Sequence, residues 1–154
     1  MHEYYMNQAI NEAKKAEAIG EVPIGAVIVY DNEIIATGYN IRESSQKSSS
    51  HAEMYAIEAA NEVLKSWRLE NCRLYVTLEP CPMCAGAIIQ ARIPHVIYGA
   101  KDQKAGCAGT ITNLLEEPQF NHQATVESGV LEQECSQLLT NFFRKLRQQK
   151  KHSK

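Results

Sequence analysis

The sequence predicts an α/β fold, a three-layer α-β-α sandwich in which a central mixed five-stranded sheet lies between two layers of helices. Two strands come early and are joined by a short turn, so they pair antiparallel, whereas helical segments separate the later strands. Such crossovers leave strands parallel and place helices on both faces of the sheet. The chain has 154 residues, of which 44% are hydrophobic, enough for one core and too few for two. We therefore expect a single domain over residues 1–154.

The amino-terminal part predicts a helix followed by a β-hairpin. Apolar residues recur at helical spacing over residues 5–19. Residues 26–30 and 33–38 are rich in apolar and β-branched side chains, which predicts two strands. Only the polar pair Asp31 and Asn32 separates them, so the connection is a tight turn.

The rest of the chain alternates helices and strands. A polar, serine-rich stretch without periodicity predicts a loop over residues 39–50. Further helices are predicted at residues 51–64, 83–91 and 131–149, a short helical piece at 111–115, strands at 74–78 and 93–100, and an edge strand at 124–127. Trp67 lies in a turn between two of these elements, where we expect its ring to pack on the core.

Two cysteines and one histidine form a set of candidate zinc ligands. Cys81 and Cys84 are three residues apart, so that both sulfurs face one side of a first helical turn if Pro82 opens the helix. Backbone N–H groups there favour the thiolate that binds metal. His51 opens the preceding helix, so two helix N-termini would converge on one ion. A set of three ligands is typical of a catalytic zinc site, which leaves its fourth position to water.

Glu53 lies two residues after His51, where its carboxylate could carry protons to and from such a water. Each part of this pattern also has a structural interpretation. Residues 50–53 match the S-x-x-E capping box, in which Glu53 would bond only the backbone N–H of Ser50. The cysteine pair alone is also compatible with a redox dithiol or with half of a four-cysteine structural zinc site. The residue pattern leaves these alternatives open.

The order of the two motifs resembles a known signature. His51-Ala52-Glu53 followed by Pro80-Cys81-Pro82-Met83-Cys84 is similar to the zinc-dependent nucleobase deaminases. The resemblance to the bacterial tRNA-specific adenosine deaminases extends from about residue 4 to residue 151 and includes residues 20–27, 77–86, 98–102 and 142–144. One departure is the serine run at residues 48–50, where that family often has Asp-Pro-Thr-Ala.

The resemblance implies a fold, a reaction and a cofactor. The fold is the cytidine-deaminase-like sandwich, which agrees with the pattern of helices and strands. The reaction is hydrolytic deamination of adenosine to inosine at the wobble position of a tRNA anticodon. One Zn²⁺ per subunit would be held by His51, Cys81 and Cys84, and Glu53 would act as proton donor and acceptor. The resemblance also implies a homodimer, which the small residues after Cys84 favour.

The resemblance further implies residues that contact the substrate. These are Asn40, Ala52, Arg42, Asp102, Lys104 and Phe143. The residues alone do not decide these roles. Asn40 is equally typical of a strand end, Arg42 of a solvated surface, and Asp102 and Lys104 of a turn after a strand.

The carboxyl-terminal segment, at about residues 131–154, differs in charge from the rest of the chain. The chain has a formal net charge of −2, yet no acid follows Glu134. The basic residues there are Arg144, Lys145, Arg147, Lys150, Lys151 and Lys154. Together with Phe142 and Phe143, they predict contact with an RNA partner, which the resemblance identifies as the tRNA anticodon stem-loop. A solvated basic tail is the alternative.

The cysteine count and the amino terminus bear on location. Five cysteines, unpatterned apart from the close pair, favour a reducing cytoplasm over a disulfide framework. Glu3 and polar neighbours stand where a signal peptide needs an apolar run, and no stretch has the length of a membrane span. We therefore expect a cytoplasmic protein without membrane contact.

Two other functions also fit the motifs. The first is deamination of a free base such as guanine or cytosine, because the metal motif is common to those enzymes. The second is a zinc-stabilised RNA-binding module without catalysis, in which Cys72 or Cys107 would supply a fourth ligand.

Overall fold

The computed structural model describes residues 1–152, so that Lys154, one of the basic residues of the predicted tail, lies outside it together with Ser153. The helices are α1 (His2–Ala18), α2 (Arg42–Ser45), α3 (Ala52–Leu64), α4 (Pro82–Ala91) and α5 (Glu132–His152). The strands are β1 (Gly25–Tyr30), β2 (Glu33–Tyr39), β3 (Cys72–Leu78), β4 (His95–Ala100) and β5 (Thr125–Glu127). Of the helices described, none combines the length and the apolar character that crossing a bilayer requires.

The strands of residues 1–152 form one mixed sheet with the order β2-β1-β3-β4-β5. β1 pairs antiparallel with both β2 and β3, whereas β4 runs parallel to β3 and β5 runs parallel to β4. Leu78 lies opposite Ala100 in the register, so the carboxyl ends of β3 and β4 meet at the same edge. The predicted five-stranded mixed sheet is therefore confirmed, and the loops after β3 and β4 lie side by side.

Helices cover both faces of this sheet. Ala26 and Ile28 of β1 belong to the core shared with α3 and α4, whereas Val27 and Val29 belong to the core shared with α1 and α5. This alternation is the two-residue period of a strand that is buried on both faces. The three-layer sandwich is therefore confirmed as predicted.

Gly38 of β2 sets how closely α3 approaches the sheet. A Cβ atom at this position would lie 2.2 Å from the Ala52 carbonyl oxygen and 2.8 Å from the Ala56 nitrogen. Only glycine allows the helix backbone to rest directly on the strand. Because this contact is made by the first turn of α3, it also fixes the height of His51 above the sheet.

The predicted loop at residues 39–50 contains a short helix, α2, that the sequence analysis missed. Glu21, which is 1% exposed, accepts hydrogen bonds from the backbone N–H groups of Glu43 and Ser44. These two N–H groups lie in the first turn of α2, where a helix supplies no partner for them. A carboxylate more than twenty residues upstream in sequence thus stabilises a helix that local periodicity does not indicate.

The short helix predicted at residues 111–115 is wrong. The chain there forms turns and an isolated bridge between Ala108 and Asn113. The Leu114 N–H donates to the Cys107 carbonyl and the Gly109 N–H to the Thr112 carbonyl. Apolar spacing predicted a helix, but these backbone bonds fold the segment back on itself.

Trp67 does not pack on the core, contrary to the sequence-based prediction. Its side chain is 54% exposed. The Arg68 guanidinium lies 4.4 Å from the centroid of the indole ring, and that of Arg92 lies 5.6 Å away. Stacking with two arginines at the surface thus replaces burial.

Candidate active site

The three predicted metal ligands meet at the carboxyl end of β3. The Nδ1 atom of His51 lies 3.5 Å from the sulfur of Cys81 and 3.6 Å from the sulfur of Cys84. All three ligand atoms lie within 4.8 Å of one another, and within residues 1–152 no other group of His, Cys, Asp or Glu side chains meets that condition. The structure therefore brings together the ligand set that the sequence predicted.

The spacing of these atoms fits zinc. Zinc bonds are about 2.05 Å long to nitrogen and about 2.3 Å long to sulfur. In a tetrahedral site these lengths place a nitrogen ligand about 3.6 Å from a sulfur ligand. The observed nitrogen–sulfur separations are 3.5 and 3.6 Å. Cys72 and Cys107 are buried outside the cluster, so neither completes it with a fourth thiolate in the part of the chain described. The donor set thus matches an open site.

Two helix N-termini hold the ligands, as predicted. His51 is the N-cap residue of α3, and Cys81 is the N-cap residue of α4, with Pro82 at its first helical position. Proline suits that position because its missing N–H would have no partner there. The strand β3 leads into this turn through Glu79 and Pro80, so the sheet fixes the position of the cysteines.

The electrostatics of the cysteine pair favour metal binding. Hydrogen bonds from Cys84 and His51 lower the pKa of Cys81 to about 4 in spite of its burial. The same contact with Cys81, together with burial and the charge of Glu53, raises the pKa of Cys84. One sulfur is thus a ready thiolate, and the other keeps its proton because a second negative charge would lie close by. A cation between the two sulfurs removes that repulsion and allows both to bind as thiolates.

Glu53 lies in the first turn of α3, beside the cluster, and is 4% exposed. Burial raises its pKa to about 7, its own backbone N–H opposes this shift, and the charge of Cys81 adds to it. Its carboxyl group also lies beside the thiol of Cys84. A carboxyl group with a pKa near neutrality can both accept and donate a proton.

The capping-box interpretation of Glu53 is wrong. The backbone N–H of Ser50 donates to the Lys47 carbonyl, and His51 rather than Ser50 is the N-cap residue. The Ser50 hydroxyl instead bonds the hydroxyl groups of Ser45 and Tyr55, at 2.6 and 2.8 Å. The Glu53 carboxyl group therefore does not bond the Ser50 N–H; it bonds its own N–H and lies beside Cys84.

Known proteins are similar to this chain in both sequence and fold. A family model described as MafB19-like deaminase matches residues 1–147. The tRNA-specific adenosine deaminase of Bacillus subtilis (strain 168) is 60% identical over 149 residues, which cover 97% of this chain and 92% of that protein. This chain belongs to the family of the tRNA-specific adenosine deaminases. Family membership makes it a hydrolase, and zinc dependence is typical of the family.

Solved structures extend the comparison. A structure from work on A-to-I editing by tRNA:A34 deaminases at the wobble position of transfer RNA has a TM-score of 0.84 and 41% identity, covering 88% of this chain and 99% of that chain. A guanine deaminase from Bacillus subtilis has a TM-score of 0.64 and 42% identity over 71% of each chain. The deaminase fold is thus common to enzymes that act on tRNA and on a free base.

Among the residues that the adenosine deaminase resemblance implies for substrate, Asn40 is already engaged. It is 6% exposed, its amide donates to the Val22 carbonyl at 3.2 Å, and its side-chain oxygen accepts the Arg42 N–H at 3.2 Å. Asn40 thus ends β2 in a turn and retains one amide hydrogen. Arg42 is exposed at the start of α2, and Ala52 is buried at the start of α3. Their contacts with substrate remain predictions.

Asp102 and Lys104 lie on the loop that follows β4. The Asp102 carboxylate accepts the N–H groups of Lys104 and Ala105, at 3.0 and 3.2 Å, so it forms the turn that was its structural alternative. The Cys107 N–H donates to the Pro80 carbonyl at 2.8 Å, which ties this loop to the turn that carries Cys81. Lys104 is exposed on the loop. The Asp102 N–H also bonds Glu79, two residues before Cys81, and the roles of Asp102 and Lys104 in RNA contact remain predictions.

The two phenylalanines of α5 differ in exposure. Their rings meet edge to face with centroids 5.3 Å apart. Phe142 is half-buried, whereas Phe143 is 41% exposed. Phe143 is therefore the more exposed ring, and its contact with RNA, which the resemblance implies, remains a prediction. Basic residues follow in the last turn of the same helix.

Sequence analysis missed Glu79. This residue is 2% exposed and follows β3 directly. Burial alone would raise its pKa, but hydrogen bonds from Thr110, Asp102 and Ala108 lower it below the ordinary value. The signal was present in the sequence, since a carboxylate between a buried strand and a metal motif needs several donors.

Proposed function

We propose that this chain removes the exocyclic amine of adenosine at the wobble position of a tRNA anticodon, giving inosine. The observation that carries the proposal is an open set of three zinc ligands with one buried carboxyl group beside it. A redox dithiol would require neither the histidine at equal distance from both sulfurs nor the adjacent glutamate. A relative 60% identical in sequence carries the corresponding name.

His51, Cys81 and Cys84 hold one Zn²⁺ per chain in this proposal. When bound there, zinc would supply an activated water with a pKa lowered toward about 7. Two thiolates leave the ion less electrophilic than three imidazoles would, so a proton relay by the protein is also needed. The buried position of Glu53 meets that need.

Glu53 moves the protons. Its carboxylate accepts a proton from the water as the water oxygen bonds carbon 6 of adenine, and the resulting carboxylic acid delivers that proton to the ring nitrogen next to carbon 6. The carboxylate then takes the remaining proton from the hydroxyl on carbon 6 and passes it to the amine, so that the C6–N bond breaks, ammonia leaves and the C6 carbonyl of hypoxanthine remains. A bound cation lowers the pKa of Glu53 from about 7, so that the residue starts as the carboxylate at neutral pH.

The remaining predicted residues hold the nucleoside and the RNA. The free amide hydrogen of Asn40 and the backbone N–H of Ala52, which has no partner within α3, face the nucleoside. Arg42, Asp102 and Lys104 contact the flanking nucleotides of the anticodon stem-loop. Phe143 stacks on an unpaired base, and the basic residues of α5 neutralise phosphates.

Assembly and location complete the proposal. The enzyme is a cytoplasmic homodimer, and the partly exposed Gly86 and Ala87 of α4 allow close approach of a second copy. Light scattering on the purified protein tests the dimer.

The decisive experiment measures inosine in an anticodon stem-loop that carries adenosine at the wobble position. Wild-type protein forms inosine, Glu53→Ala binds zinc and forms none, and Cys84→Ala loses both zinc and activity. A matched assay measures ammonia released from free guanine, because a guanine deaminase is 42% identical to this chain. Ammonia from guanine without inosine in the stem-loop would replace the proposal with a free-base deaminase. Unchanged activity in Glu53→Ala would refute the proton relay.

A further inference from the structure

Glu79 is surrounded by donors from a single loop. Its Oε1 atom accepts the Asp102 N–H at 3.1 Å and the Thr110 hydroxyl, and its Oε2 atom accepts the N–H groups of Ala108 and Thr110 at 2.9 and 3.0 Å. All four donors belong to the segment over residues 101–110, which we call the β4 loop. One side chain that precedes the zinc-binding motif thus holds both ends of this loop.

The β4 loop is wrapped closely around the carboxylate. A Cβ atom at Gly106 would lie 2.5 Å from the Glu79 carboxyl group and 2.5 Å from the Asp102 carbonyl oxygen. The loop therefore leaves no space for a side chain at its centre. Because the Cys107 N–H also bonds the Pro80 carbonyl, the path of the loop is fixed relative to Cys81.

The network continues toward α5. The Tyr98 hydroxyl lies beside the side chains of Thr110 and Ser128. Ser128 follows β5 directly and precedes α5. Thr110, which bonds Glu79, thus lies next to Tyr98, and Tyr98 lies next to the segment that precedes the basic helix.

Building on the proposed function, we propose that Glu79 is the positioning residue for RNA at this site. It holds Asp102 and Lys104 where they grip the nucleotides that flank the target adenosine. The carboxylate is enclosed by the β4 loop, so it contacts neither the reacting base nor the zinc ligands. The ligands have their own supports, such as the hydrogen bond from the Ala85 N–H to the Cys81 carbonyl at 2.8 Å. Loss of Glu79 therefore affects RNA binding rather than the chemical step.

The variant Glu79→Gln tests this role because an amide cannot accept all four hydrogen bonds. Placing the NH₂ group at the Oε2 position would oppose two backbone N–H groups, whereas placing it at the Oε1 position opposes only that of Asp102. The Thr110 hydroxyl can rotate to accept from the NH₂ group. The variant thus releases the Asp102 end of the loop. We expect KM for the anticodon stem-loop to rise about tenfold and kcat to change by less than about twofold, with one zinc per chain retained.

A purely structural role predicts a different result. If Glu79 only stabilised the fold, the variant would contain less active protein, so that kcat and zinc content would fall together at unchanged KM. That outcome overturns the proposal. Glu12→Gln is the matched control, since Glu12 is buried on α1, away from the site, and pairs with Lys15 at 2.6 Å. We expect this control to leave KM unchanged.

Amide hydrogen exchange separates this inference from the proposed function. In Glu79→Gln the amide of Asp102 exchanges about tenfold faster, while the core amides of β3 keep their protection. Unchanged exchange in the β4 loop overturns the positioning role. If the wild-type protein formed no inosine, the proposed function would fail, and the exchange rates together with stem-loop affinity would still decide the role of Glu79. Thr110→Val, which removes only the hydroxyl donor, repeats both measurements if Glu79→Gln does not fold, with an expected change in KM of about threefold.

Discussion

Two glutamates near the cysteine motif are buried to nearly the same degree, yet their pKa values are shifted in opposite directions. Glu53 is 4% exposed and Glu79 is 2% exposed. Burial raises the pKa of Glu53 to about 7, whereas four hydrogen bonds outweigh burial at Glu79 and lower its pKa below the ordinary 4.5. Burial alone therefore does not determine the charge of a carboxyl group, because hydrogen-bond donors and neighbouring charges also shift its pKa.

The difference matches two kinds of task. A carboxyl group with few donors changes its protonation state at modest cost, which suits a group that carries protons from a water to the adenine nitrogens. A carboxylate with four donors keeps its charge and resists movement, which suits the anchoring of a loop. The two proposals thus assign the chemistry to Glu53 and the positioning of RNA to Glu79 within one site.

The largest expected effect comes from Glu53→Gln, which keeps the shape of the side chain and removes its acid–base function. We expect kcat for inosine formation to fall by about 10² to 10⁴-fold, because general acid–base catalysis contributes that much. Zinc content should stay at one per chain, since the ligands are unchanged. Glu58→Gln, an exposed position on the same helix, serves as the control. Turnover near the wild-type rate in Glu53→Gln would remove the contrast with Glu79.

The pH dependence of stability tests the raised pKa of Glu53, which distinguishes this residue from Glu79. A carboxyl group whose folded pKa is about 7, against an ordinary value of 4.5, stabilises the fold below pH 4.5 and loses this contribution as pH rises through 7. In zinc-free protein, the difference in unfolding free energy between wild type and Glu53→Gln should change by about 3 kcal/mol across this range.

Urea denaturation of the chelator-treated proteins at pH 5, 6, 7 and 8 measures that difference. Adding zinc should reduce the pH dependence, because a nearby cation lowers the pKa of Glu53. If the difference in unfolding free energy stays constant with pH in the zinc-free proteins, burial does not raise the pKa of Glu53.

The contribution of Glu79 to stability should depend on pH with the opposite sign. Its folded pKa is lowered, so its contribution to stability is present above pH 4.5 and is lost as pH falls through the folded pKa. At pH 7 we expect Glu79→Gln to lower the free energy of unfolding by about 1–3 kcal/mol, since it leaves a buried donor without a partner. Denaturation at pH 7 and at pH 3 should show this loss shrinking in acid. Glu33→Gln, at an exposed position of β2, is the control, and a loss that grows in acid would contradict the assignment.

Local sequence features predicted most of the fold and the metal ligands. The turn at Asp31 and Asn32 has φ values of +52° and +62°, as a two-residue hairpin requires, and the strands on each side pair as expected. Pro82 opens α4 as predicted, so that Cys81 and Cys84 share one end of a helix. These features depend on residues close together in sequence, so pattern and spacing carry the information.

The features that the sequence analysis missed depend on distant contacts. Glu79 bonds residues 23 to 31 positions later, and Glu21 bonds residues 22 and 23 positions later. Spacing within a window of ten residues cannot reveal such partners. The same limit explains the helix wrongly predicted at residues 111–115, where backbone bonds to Gly106 and Cys107 replace helical ones.

The smallest expected effect tests whether the β4 loop acts on RNA. Lys104→Ala removes one exposed positive charge from that loop, so stem-loop affinity should fall by less than about tenfold and the slope of log K against log salt should fall by about 0.7. Lys14→Ala on α1 should change neither quantity, because that exposed lysine lies on a helix away from the loop.

The double variant Glu79→Gln and Lys104→Ala links the effect of Lys104 on stem-loop affinity to the comparison between the two glutamates. If Glu79 holds Lys104 in place, the charge is already poorly positioned in Glu79→Gln, and removing it should cost less than it does in the wild type. Strictly additive losses would mean that Lys104 contacts RNA independently of Glu79. Because Glu53→Gln leaves the loop intact, Lys104→Ala should keep its full effect on stem-loop affinity in that background.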